Sequence, residues 1–549
     1  MLGLMQDKPL LISSLLEHAE RFHPEVEVVS KTVEGTIHRT NWREIGQRAR
    51  RLAISLEKQG VKKGSVVATL AWNTHRHVEL YFAVMGLGAV LHTINPRLSP
   101  EHLDYIVNHA EGEILFFDTT FAPIVEKMQE RFGHVKRFYA MAAEATLDKI
   151  APKIRDLGSY EALIDNTPAD PAFTWPQFDE RTASSLCYTS GTTGNPKGVL
   201  YSHRSTILHA CVGGLPDIMN TSANATILVV VPLFHVNAWG LPYSAAMTGT
   251  KLVLPGPHMD GKSMYELLRD ERVTLAAGVP TVWQMLFQYV DANSLKPRED
   301  LCLKTALVGG SAAPRMMIER FDREFDTFLL HAWGMTEMSP LGVVCQLLPK
   351  HQHLPAEQRY DVQMKQGRAV WGVQLKIVDE DNQRLPHDGK ARGRLLVSGP
   401  WIVDSYFKGE GGKILDEEGF FDTGDVAVID DDGYITLVDR SKDVIKSGGE
   451  WISSIDLENV AVGCPGIAMA AVIGVSHPKW QERPLLVCVK KPGAELDKST
   501  VLSYLEGKIA KWWTPDDVVF IDALPLTATG KIYKLGLRQQ FKDYQLPTA

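Results

Sequence analysis

The sequence predicts an α/β fold that is divided into two or more domains. The chain has 549 residues, which is too many for a single hydrophobic core. Its apolar fraction of 44% and charged fraction of 23% are typical of a globular protein that folds in water. Apolar runs of strand length also alternate with segments of helical periodicity, which indicates largely parallel sheets between layers of helices.

The predicted elements follow one another along the first half of the chain. Residues 10 to 60 are predicted to be helical, because apolar side chains repeat on one face. Beyond them the sequence predicts a strand at 66–71, an amphipathic helix at 77–87, a strand at 89–94, a helix opened by Ser99 and Pro100, a helix at 203–211, and strands at 227–233, 273–279 and 303–308.

Composition excludes several classes of protein. The net charge is −8 with both signs mixed along the chain, whereas a general nucleic-acid binder shows a basic face. Six scattered cysteines without a CxxC pair indicate buried thiols rather than a disulfide framework or a zinc site. The N-terminus lacks the pattern of a signal peptide, and no apolar run reaches the roughly 20 residues of a membrane span. We therefore expect a cytoplasmic protein.

The stretch YTSGTTGNPKGV, from Tyr188 to Val199, predicts a loop that holds phosphate oxygens. Glycines let backbone N–H groups approach an anion, the hydroxyls add donors, and the lysine adds a compact positive charge. The loop is not a Walker A motif, which needs Gly-Lys followed by Ser or Thr. A flexible surface linker is the alternative, but apolar residues on both sides favour a loop between two strands. The candidate residues are Thr189, Ser190, Gly191, Thr192, Thr193, Gly194 and Lys197.

This order of residues resembles the adenylate-forming superfamily, which includes acyl-CoA synthetases, peptide-synthetase adenylation domains and beetle luciferases. Six motifs follow in the family order between about residue 10 and residue 535. The resemblance implies a large N-terminal domain of layered α/β sheets with a β-barrel-like subdomain, at residues 1–440. It implies a small, mobile α+β domain at residues 441–549, where strands and a helix alternate again.

Two segments after the loop are candidates for the substrate pocket. His235 and Trp239 stand at i, i+4 and would share one face of a helix. A core histidine beside a packing tryptophan is the alternative, but the resemblance implies a tunnel between acyl and pantetheine sites that the aromatic residue gates. Pro280 and Gly309 end predicted strands, where open α/β sheets bind ligands. Gly310, Ser311 and Ala312 continue the second of these turns, and purely steric glycines remain the alternative.

The string HAWGMTEMSP, from His331 to Pro340, carries a candidate metal ligand. A carboxylate beside a phosphate loop needs a cation, and Mg²⁺ prefers oxygen ligands, so Glu337 is predicted to bind magnesium. The string resembles the family motif for adenine and metal, with tryptophan where tyrosine is usual. The resemblance implies that Glu337 and Thr193 hold Mg²⁺. It also implies that Thr336 and Glu337 are catalytic, together with His235 and Lys531, and that the nucleotide contacts Ala332, Trp333, Gly334 and Met335.

The segment around residue 440 resembles the ribose site and hinge of the family. Asp425 follows a Thr-Gly turn at a predicted strand start, and its carboxylate would accept hydrogen bonds from both ribose hydroxyls. Arg440 would contact ribose or phosphate, and Lys442 would be the pivot; a turn aspartate and a solvated charged turn are the alternatives. The segment from Arg394 to Tyr406 resembles the next conserved strand of the family, and Arg394 stands where glutamate is commoner. The remaining residues assigned to nucleotide or CoA are Val438, Lys446, Gly448, Gly449, Glu450 and Trp451.

Near the C-terminus, Lys531 follows a Thr-Gly turn and is predicted to stand on an exposed loop tip. A lysine on the surface is usually only solvated. The order P-x-T-x-x-G-K, however, matches the catalytic lysine of the family. The resemblance implies that Lys531 binds the substrate carboxylate and the α-phosphate.

Together the motifs imply an ATP-dependent carboxylate–CoA ligase that forms AMP and pyrophosphate, with ATP, Mg²⁺ and coenzyme A as cofactors and a carboxylic acid as partner. HAWGMTEMSP and DRSKDVIKSGGEWIS look most like medium-chain fatty acyl-CoA synthetases and 3-methylmercaptopropionate-CoA ligases. His235 and Trp239 would favour a short or medium acyl chain. Delivery of the acyl group to a carrier protein is the alternative; a non-enzymatic binder would not need Glu337, Asp425 and Lys531. The oligomeric state stays open, and a homodimer is one of the states considered.

Overall fold

A computed structural model describes residues 1, 3–150, 153–189, 195–440, 442–448, 450–527 and 531–549. These residues form two compact units. Unit 1 contains Met1–Leu307, Gly334–Leu341 and Pro400–Lys413, and unit 2 contains Val308–Trp333, Gly342–Gly399 and Ile414–Ala549.

Unit 1 is built from alternating strands and helices. The strands are β1 (Glu27–Lys31), β2 (Ile37–Asn41), β3 (Val66–Leu70), β4 (Val90–Thr93), β5 (Ile114–Phe117), β6 (Arg137–Ala140), β7 (Leu157–Ser159), β8 (Ala183–Tyr188), β9 (Gly198–Ser202), β10 (Thr226–Val229), β11 (Lys251–Leu254), β12 (Leu275–Gly278) and β13 (Thr305–Val308). The helices are α1 (Ile12–Phe22), α2 (Trp42–Lys58), α3 (His75–Gly86), α4 (Pro100–Ala110), α5 (Ala122–Met128), α6 (Leu147–Ile150), α7 (Tyr160–Asp165), α8 (His203–Gly213), α9 (Leu241–Thr248), α10 (Gly261–Asp270), α11 (Pro280–Ala292) and α12 (Pro297–Asp300).

Two sheets organise unit 1, and both are largely parallel. One has the strand order β7-β6-β5-β3-β4-β8-β9, in which only the pairing of β9 with β8 is antiparallel. The other has the order β13-β12-β10-β11-β1-β2, and β2 is antiparallel to β1. The predicted layers of strand and helix are confirmed, and helix α4 begins as expected, with Ser99 accepting from the His102 N–H.

Two expectations for the N-terminal region are wrong. Residues 27–31 and 37–41 form strands β1 and β2 inside the stretch that the sequence predicts to be helical. The branched residues Val28 and Val29 are fully buried, and tertiary packing in the sheet overrides the helical pattern. Helix α3 is buried on nearly every side rather than amphipathic, since Arg76 is its one residue outside the buried class. Its Glu79 is compensated by Arg48, which lies 2.7 Å from the carboxylate.

Unit 2 contains an antiparallel sheet and a separate C-terminal sheet. Its strands are β14 (Phe328–Gly334), β15 (Leu341–Val344), β16 (Gly367–Ala369), β17 (Gln374–Val378), β18 (Gly393–Ser398), β19 (Phe421–Ile429), β20 (Tyr434–Arg440), β21 (Ile445–Ser447), β22 (Glu450–Ile452), β23 (Ile467–His477), β24 (Gln481–Lys490) and β25 (Asp517–Phe520). Its helices are α13 (Arg315–Phe325), α14 (Ala356–Gln363), α15 (Ser454–Val462), α16 (Lys498–Leu505) and α17 (Lys534–Gln540).

The strands of unit 2 divide at about residue 440. The order β17-β18-β19-β20-β16-β15-β14 forms the antiparallel part, within the range 1–440 for which the resemblance implies a β-barrel-like subdomain. The order β22-β21-β24-β23 forms the C-terminal sheet, and β25 pairs in parallel with β24 after the crossover helix α16. Apolar clusters cover both faces of this sheet, one around Val472 and one around Ile473. It therefore has a core of its own.

None of the helices in the described segments is both long enough and apolar enough to cross a membrane.

The first prediction concerns the loss of stability in acid. Burial lowers the pKa of His203 from 6.5 to about 4, and its Nδ1 accepts from the N–H of Ile12, at 3.1 Å. Between these two pH values the unfolded chain binds a proton that the folded chain refuses, so stability falls as the pH falls through this window. Between pH 7 and pH 5, His203 should therefore cost about 2 kcal/mol of unfolding free energy. The His203→Gln variant keeps an acceptor but does not titrate, so it should lose that much less.

Urea denaturation at pH 7 and pH 5, followed by tryptophan fluorescence, measures this difference. His134→Gln makes the same change at an exposed position and should leave the loss of stability unaltered. Equal losses of unfolding free energy in the wild type and in His203→Gln would contradict the conclusion that His203 contributes to the loss of stability in acid.

Candidate active site

The base of the phosphate loop is closed by hydrogen bonds between its two ends. Strands β8 and β9 pair antiparallel up to Tyr188 and Gly198, as the apolar residues on both sides of the loop predict. The Thr189 N–H then donates to the carbonyl of Lys197 at 2.9 Å, and the Lys197 N–H donates to Oγ1 of Thr189 at 3.0 Å. Residues Ser190, Gly191, Thr192, Thr193 and Gly194 lie outside the described residues, and their phosphate contacts stay a prediction.

Glu337 is held by a tyrosine that sequence reasoning missed. Tyr406 donates its hydroxyl hydrogen to Oε1 of Glu337 at 2.7 Å, and the carboxylate is buried. Burial and the charge of Glu337 both raise the pKa of Tyr406, so this phenol stays protonated and remains a donor. The ammonium of Lys197 lies 4.7 Å from the centre of the same ring. Tyr406 ends the segment from Arg394 that resembles a family strand, which was the available signal.

The turn that carries Thr336 and Glu337 is anchored to strand β9. Tyr201 donates its hydroxyl to the carbonyl of Thr336 at 2.6 Å. At Gly334 a Cβ atom would lie 1.9 Å from the carbonyl oxygen of Pro340, so a side chain there would displace the backbone. The turn therefore has one geometry relative to the strand that leaves the phosphate loop.

The donor set around Glu337 suits a magnesium ion that is shared with a ligand. In the described part of the chain, no three His, Cys, Asp or Glu side chains gather closely enough to hold a metal by themselves. Mg²⁺ prefers carboxylate oxygen and usually keeps water and phosphate oxygens in its coordination shell. Glu337 fits the single protein carboxylate of such a site. The second predicted ligand, Thr193, lies outside the described residues.

The segment after strand β10 forms a left-handed turn, and the prediction of a shared helical face for His235 and Trp239 is wrong. Five consecutive residues, Val236 to Gly240, have φ angles of 47°, 50°, 49°, 57° and 79°. For a residue with a Cβ atom this conformation costs roughly 1–2 kcal/mol. Tertiary contacts must therefore hold the turn. His235 and Trp239 are both half-buried at its two ends.

The other predicted pocket residues lie at strand ends, as expected. Pro280 is the first residue of α11 and is buried just after β12. Gly309 and Gly310 follow β13, and Gly310 has a φ of 83°, which favours glycine. Ser311 is exposed, and Ala312 is partly buried.

In unit 2, Asp425 lies at the centre of the groups that the motifs predict. The indole N–H of Trp333 donates to its Oδ2 at 2.9 Å, and Nε of Arg440 lies 2.8 Å from its Oδ1. Burial raises the pKa of Asp425, while the charge of Arg440, the Trp333 hydrogen bond and the charge of Lys531 lower it. The site thus places positive charge around one buried carboxylate. Asp425 lies inside β19 rather than at a strand start.

The tryptophan at 333 has a polar function in addition to its flat ring. Where the resembling motif usually has tyrosine, the indole N–H of Trp333 reaches Asp425. The unusual Arg394 also has a partner, since its guanidinium lies 2.5 Å from Asp422. Trp333 and Arg394, which both depart from the family pattern, therefore each contact an aspartate on β19.

The predicted hinge leads into a hairpin of β21 and β22. Lys442 is exposed and precedes Asp443, which pairs with Arg538 at 2.7 Å. Gly448 has a φ of 60°, and a Cβ there would lie 2.8 Å from the ring of Trp480. Lys446 and Glu450 are on the hairpin strands, Val438 is buried, Trp451 is partly buried, and Ala332 and Met335 flank Trp333 and Gly334. Gly449 lies outside the described residues.

Lys531 is partly buried, so the prediction of an exposed loop tip is wrong for this residue. Its N–H donates to Oγ1 of Thr527 at 3.1 Å, and the Thr527 N–H donates to its carbonyl. Leu526 and Ile532 form a β-bridge next to this pair. These bonds fix the backbone of Lys531 against that of Thr527.

Two families match the chain along its length. The family described as AMP-binding enzyme matches residues 15–407, and the AMP-binding enzyme C-terminal domain matches residues 456–531. The 3-methylmercaptopropionyl-CoA ligase of Ruegeria lacuscaerulensis is 51% identical over 99% of both chains. The medium-chain-fatty-acid–CoA ligase of Ectopseudomonas oleovorans is 48% identical and covers 100% of this chain and 98% of its own length.

Solved structures share the fold. The anthranilate CoA ligase AuaEII in complex with anthranoyl-AMP has a TM-score of 0.84 at 22% identity, over 98% of this chain and 99% of its own. MatB from Rhodopseudomonas palustris with bound ATP has a TM-score of 0.79 at 24% identity, over 97% and 99% of the two chains. The predicted α/β class, with large N-terminal sheets and a smaller C-terminal domain, is thereby confirmed.

The second prediction concerns the hydrogen bond from Trp333 to Asp425. Trp333→Phe keeps a flat ring but removes the donor, so the pKa of Asp425 should rise further and its carboxylate should lose orientation. We expect AMP to bind about tenfold more weakly at pH 7, since one hydrogen bond to a charged group contributes roughly 1.5–3 kcal/mol. AMP binding should also be lost at higher pH on acidification than in the wild type.

Calorimetric titration of AMP across pH measures both effects. Trp175→Phe is the matched control, because that indole N–H is buried without a hydrogen-bond partner. Unchanged AMP affinity in Trp333→Phe would contradict the prediction that the Trp333–Asp425 hydrogen bond supports AMP binding.

Proposed function

The chain belongs to the family of AMP-binding enzymes, and from this premise we propose that it is an ATP-dependent carboxylate–CoA ligase that releases AMP and pyrophosphate. The observation that carries the proposal is the buried carboxylate of Asp425. It is bonded to Trp333 and Arg440 and lies within the electrostatic influence of Lys531. Such a carboxylate suits the two hydroxyls of a ribose, and its neighbours suit the adenine ring and phosphate oxygens.

In the first half-reaction, a carboxylate oxygen of the substrate attacks the α-phosphorus of ATP. A bond from that oxygen to phosphorus forms, the bond from phosphorus to the bridging oxygen breaks, and pyrophosphate leaves. Lys531 binds the carboxylate and the α-phosphate, which repel each other in its absence. The loop from Thr189 to Lys197 donates hydrogen bonds to the phosphates, and these donors stabilise the charge that develops on oxygen.

Magnesium has a defined place in this proposal. Glu337 and Thr193 would hold the ion, which would supply positive charge beside the phosphate oxygens when bound. Tyr406 keeps the carboxylate of Glu337 oriented through its hydroxyl. The hydrogen bond from Tyr201 to the Thr336 carbonyl holds Thr336 next to strand β9.

In the second half-reaction, the thiolate of coenzyme A attacks the carbonyl carbon of the acyl-adenylate. A carbon–sulfur bond forms, the bond to the phosphate oxygen breaks, and AMP leaves. We propose that residues 441–549 rotate about Lys442 between the two steps, which withdraws Lys531. The hairpin loop with Gly448 and Gly449 then contacts pantetheine, assisted by Lys446, Glu450 and Trp451. Two reactions at one nucleotide require two such arrangements.

The relatives favour a short- or medium-chain fatty acid or 3-methylmercaptopropionate as the substrate. In this proposal His235 and Trp239 narrow the acyl pocket; Pro280 and Gly309 stay candidate substrate contacts. Transfer to a carrier protein is not favoured, because the most similar relatives are named as CoA ligases. We propose that the reaction takes place in the cytoplasm, where ATP and CoA are available.

The third prediction separates the two half-reactions at Lys531. Lys531→Ala should slow acid-dependent exchange of pyrophosphate into ATP by about 10²–10³-fold, as expected for loss of one charge-stabilising donor. Thioester formation from supplied acyl-adenylate and CoA should change little, because the lysine is withdrawn in that step. Lys542→Ala, an exposed lysine in the same region, is the control and should affect neither reaction. Equal loss of both half-reactions in Lys531→Ala would exclude this function for the lysine.

The fourth prediction identifies the acid. A panel of carboxylic acids from short to long, with 3-methylmercaptopropionate, is assayed for CoA-dependent release of AMP. We expect short and medium chains to react, and Trp239→Gly to move the preference toward longer chains because it enlarges the pocket. Glycine also tolerates the φ of 57° at this position. Trp371→Gly, at an exposed tryptophan, is the control.

The outcomes of the panel are decisive. Absence of CoA-dependent AMP release with every acid would overturn the proposed function. An unchanged chain-length profile in Trp239→Gly would remove this tryptophan from the pocket.

A further inference from the structure

The left-handed turn is tied to strand β8 by the side chain of Asn237. The amide of Asn237 donates to Oγ of Ser185 at 2.6 Å, and its oxygen accepts from the thiol of Cys187 at 3.6 Å. All three side chains are buried. Ser185 and Cys187 are two residues apart on β8, so one amide spans two adjacent positions on the same strand face.

Strand β8 ends where the phosphate loop begins. Cys187 precedes Thr189 by two residues, and the bonds between Thr189 and Lys197 close the base of the loop. The thiol of Cys187 also lies 3.3 Å from Oγ1 of Thr93 on the neighbouring strand β4. A displacement of Asn237 would therefore act on the strand that positions the loop.

The ends of the turn are held as firmly as its middle. The hydroxyl of Tyr81 donates to the carbonyl of Leu233, just before the turn. At the far end, a Cβ on Gly240 would lie 2.8 Å from Nδ1 of His209. The other nitrogen of His209 accepts from the N–H of Leu341 at 3.2 Å. The turn is thus enclosed by buried groups that oppose its conformational strain.

We propose that Asn237 is a positioning residue for adenylation. It holds the turn that carries Trp239 at a fixed offset from strand β8, and so holds the carboxylate of the acid in line with the α-phosphate. This inference rests on the proposed function, in which Trp239 borders the acyl pocket. Adenylation, which aligns two separate reactants, is the step most sensitive to a shift of the turn relative to β8. A displacement of about 1 Å can lower the rate about 10²-fold.

The two half-reactions differ in their dependence on this offset. During adenylation, the acid and ATP are separate molecules, and only the protein aligns them. During thioester formation, the acyl group and AMP are joined by a covalent bond, so their alignment no longer depends on the turn. Loss of the Asn237 side chain should therefore impair the first step and spare the second.

The test uses Asn237→Gly, because glycine accepts the φ of 50° without strain. We expect kcat for acid-dependent pyrophosphate exchange to fall about 30- to 100-fold, with KM for ATP and for the acid changed less than about threefold. Thioester formation from supplied acyl-adenylate should stay within about threefold of the wild type. Ser185→Ala removes the Asn237–Ser185 hydrogen bond from the strand side and should slow the same step. The double variant should be no slower than Asn237→Gly, because Asn237→Gly has already removed that bond.

Asn220→Gly is the matched control, since Asn220 is also left-handed, with a φ of 47°, but is exposed. Its two half-reaction rates should equal those of the wild type. The inference would be overturned if Asn237→Gly slowed both half-reactions equally, or if Ser185→Ala left both rates unchanged. Additive rate losses in the double variant, or the same loss in Asn220→Gly, would also overturn it. A wild-type protein without pyrophosphate exchange for any acid would instead overturn the proposed function.

Discussion

The pairing of strands β8 and β9 is the constraint on which the rest of the site depends. A loop rich in glycine and hydroxyl residues has little structure of its own, and its ends must be held by something more rigid. Here two hydrogen bonds between Thr189 and Lys197 close the loop at the end of the antiparallel ladder. Residues on both strands then bond outward, from Ser185 to the left-handed turn and from Tyr201 to Thr336. One strand pair thus orders three separate segments.

In unit 2 the electrostatic interactions of the site converge on the buried carboxylate of Asp425. A carboxylate as deeply buried as that of Asp425 is costly unless it is paired, and burial accordingly raises its pKa. Two direct partners, Trp333 and Arg440, and the charge of Lys531 offset part of that cost. The same groups that make the carboxylate tolerable are those suited to a nucleotide. Stability of the free protein and affinity for a ligand are therefore linked at this site.

Local periodicity predicted much of the fold and a connection between two strands at the candidate loop, whereas the functions of the candidate site residues stay predictions. Short apolar runs identified β3, β4 and β12, and the order of hydroxyls and glycines identified the loop between β8 and β9. The turn Val236–Gly240 was beyond this reasoning, because an i, i+4 argument assumes right-handed helical geometry. Tyr406 was missed because its bond to Glu337 joins residues far apart in sequence. Burial of α3 and pairing of β1 with β11 likewise depend on distant partners that no local pattern contains.

The close contact between Gly334 and the backbone of Pro340 restricts which substitutions position 334 can accept. The carbonyl of Pro340 occupies the space of any side chain at position 334, so every single-base change of the glycine codon that alters the amino acid meets backbone. In a saturation library, the fourth letter of the string HAWGMTE would therefore be invariant. Divergent copies of this gene would retain glycine at this position.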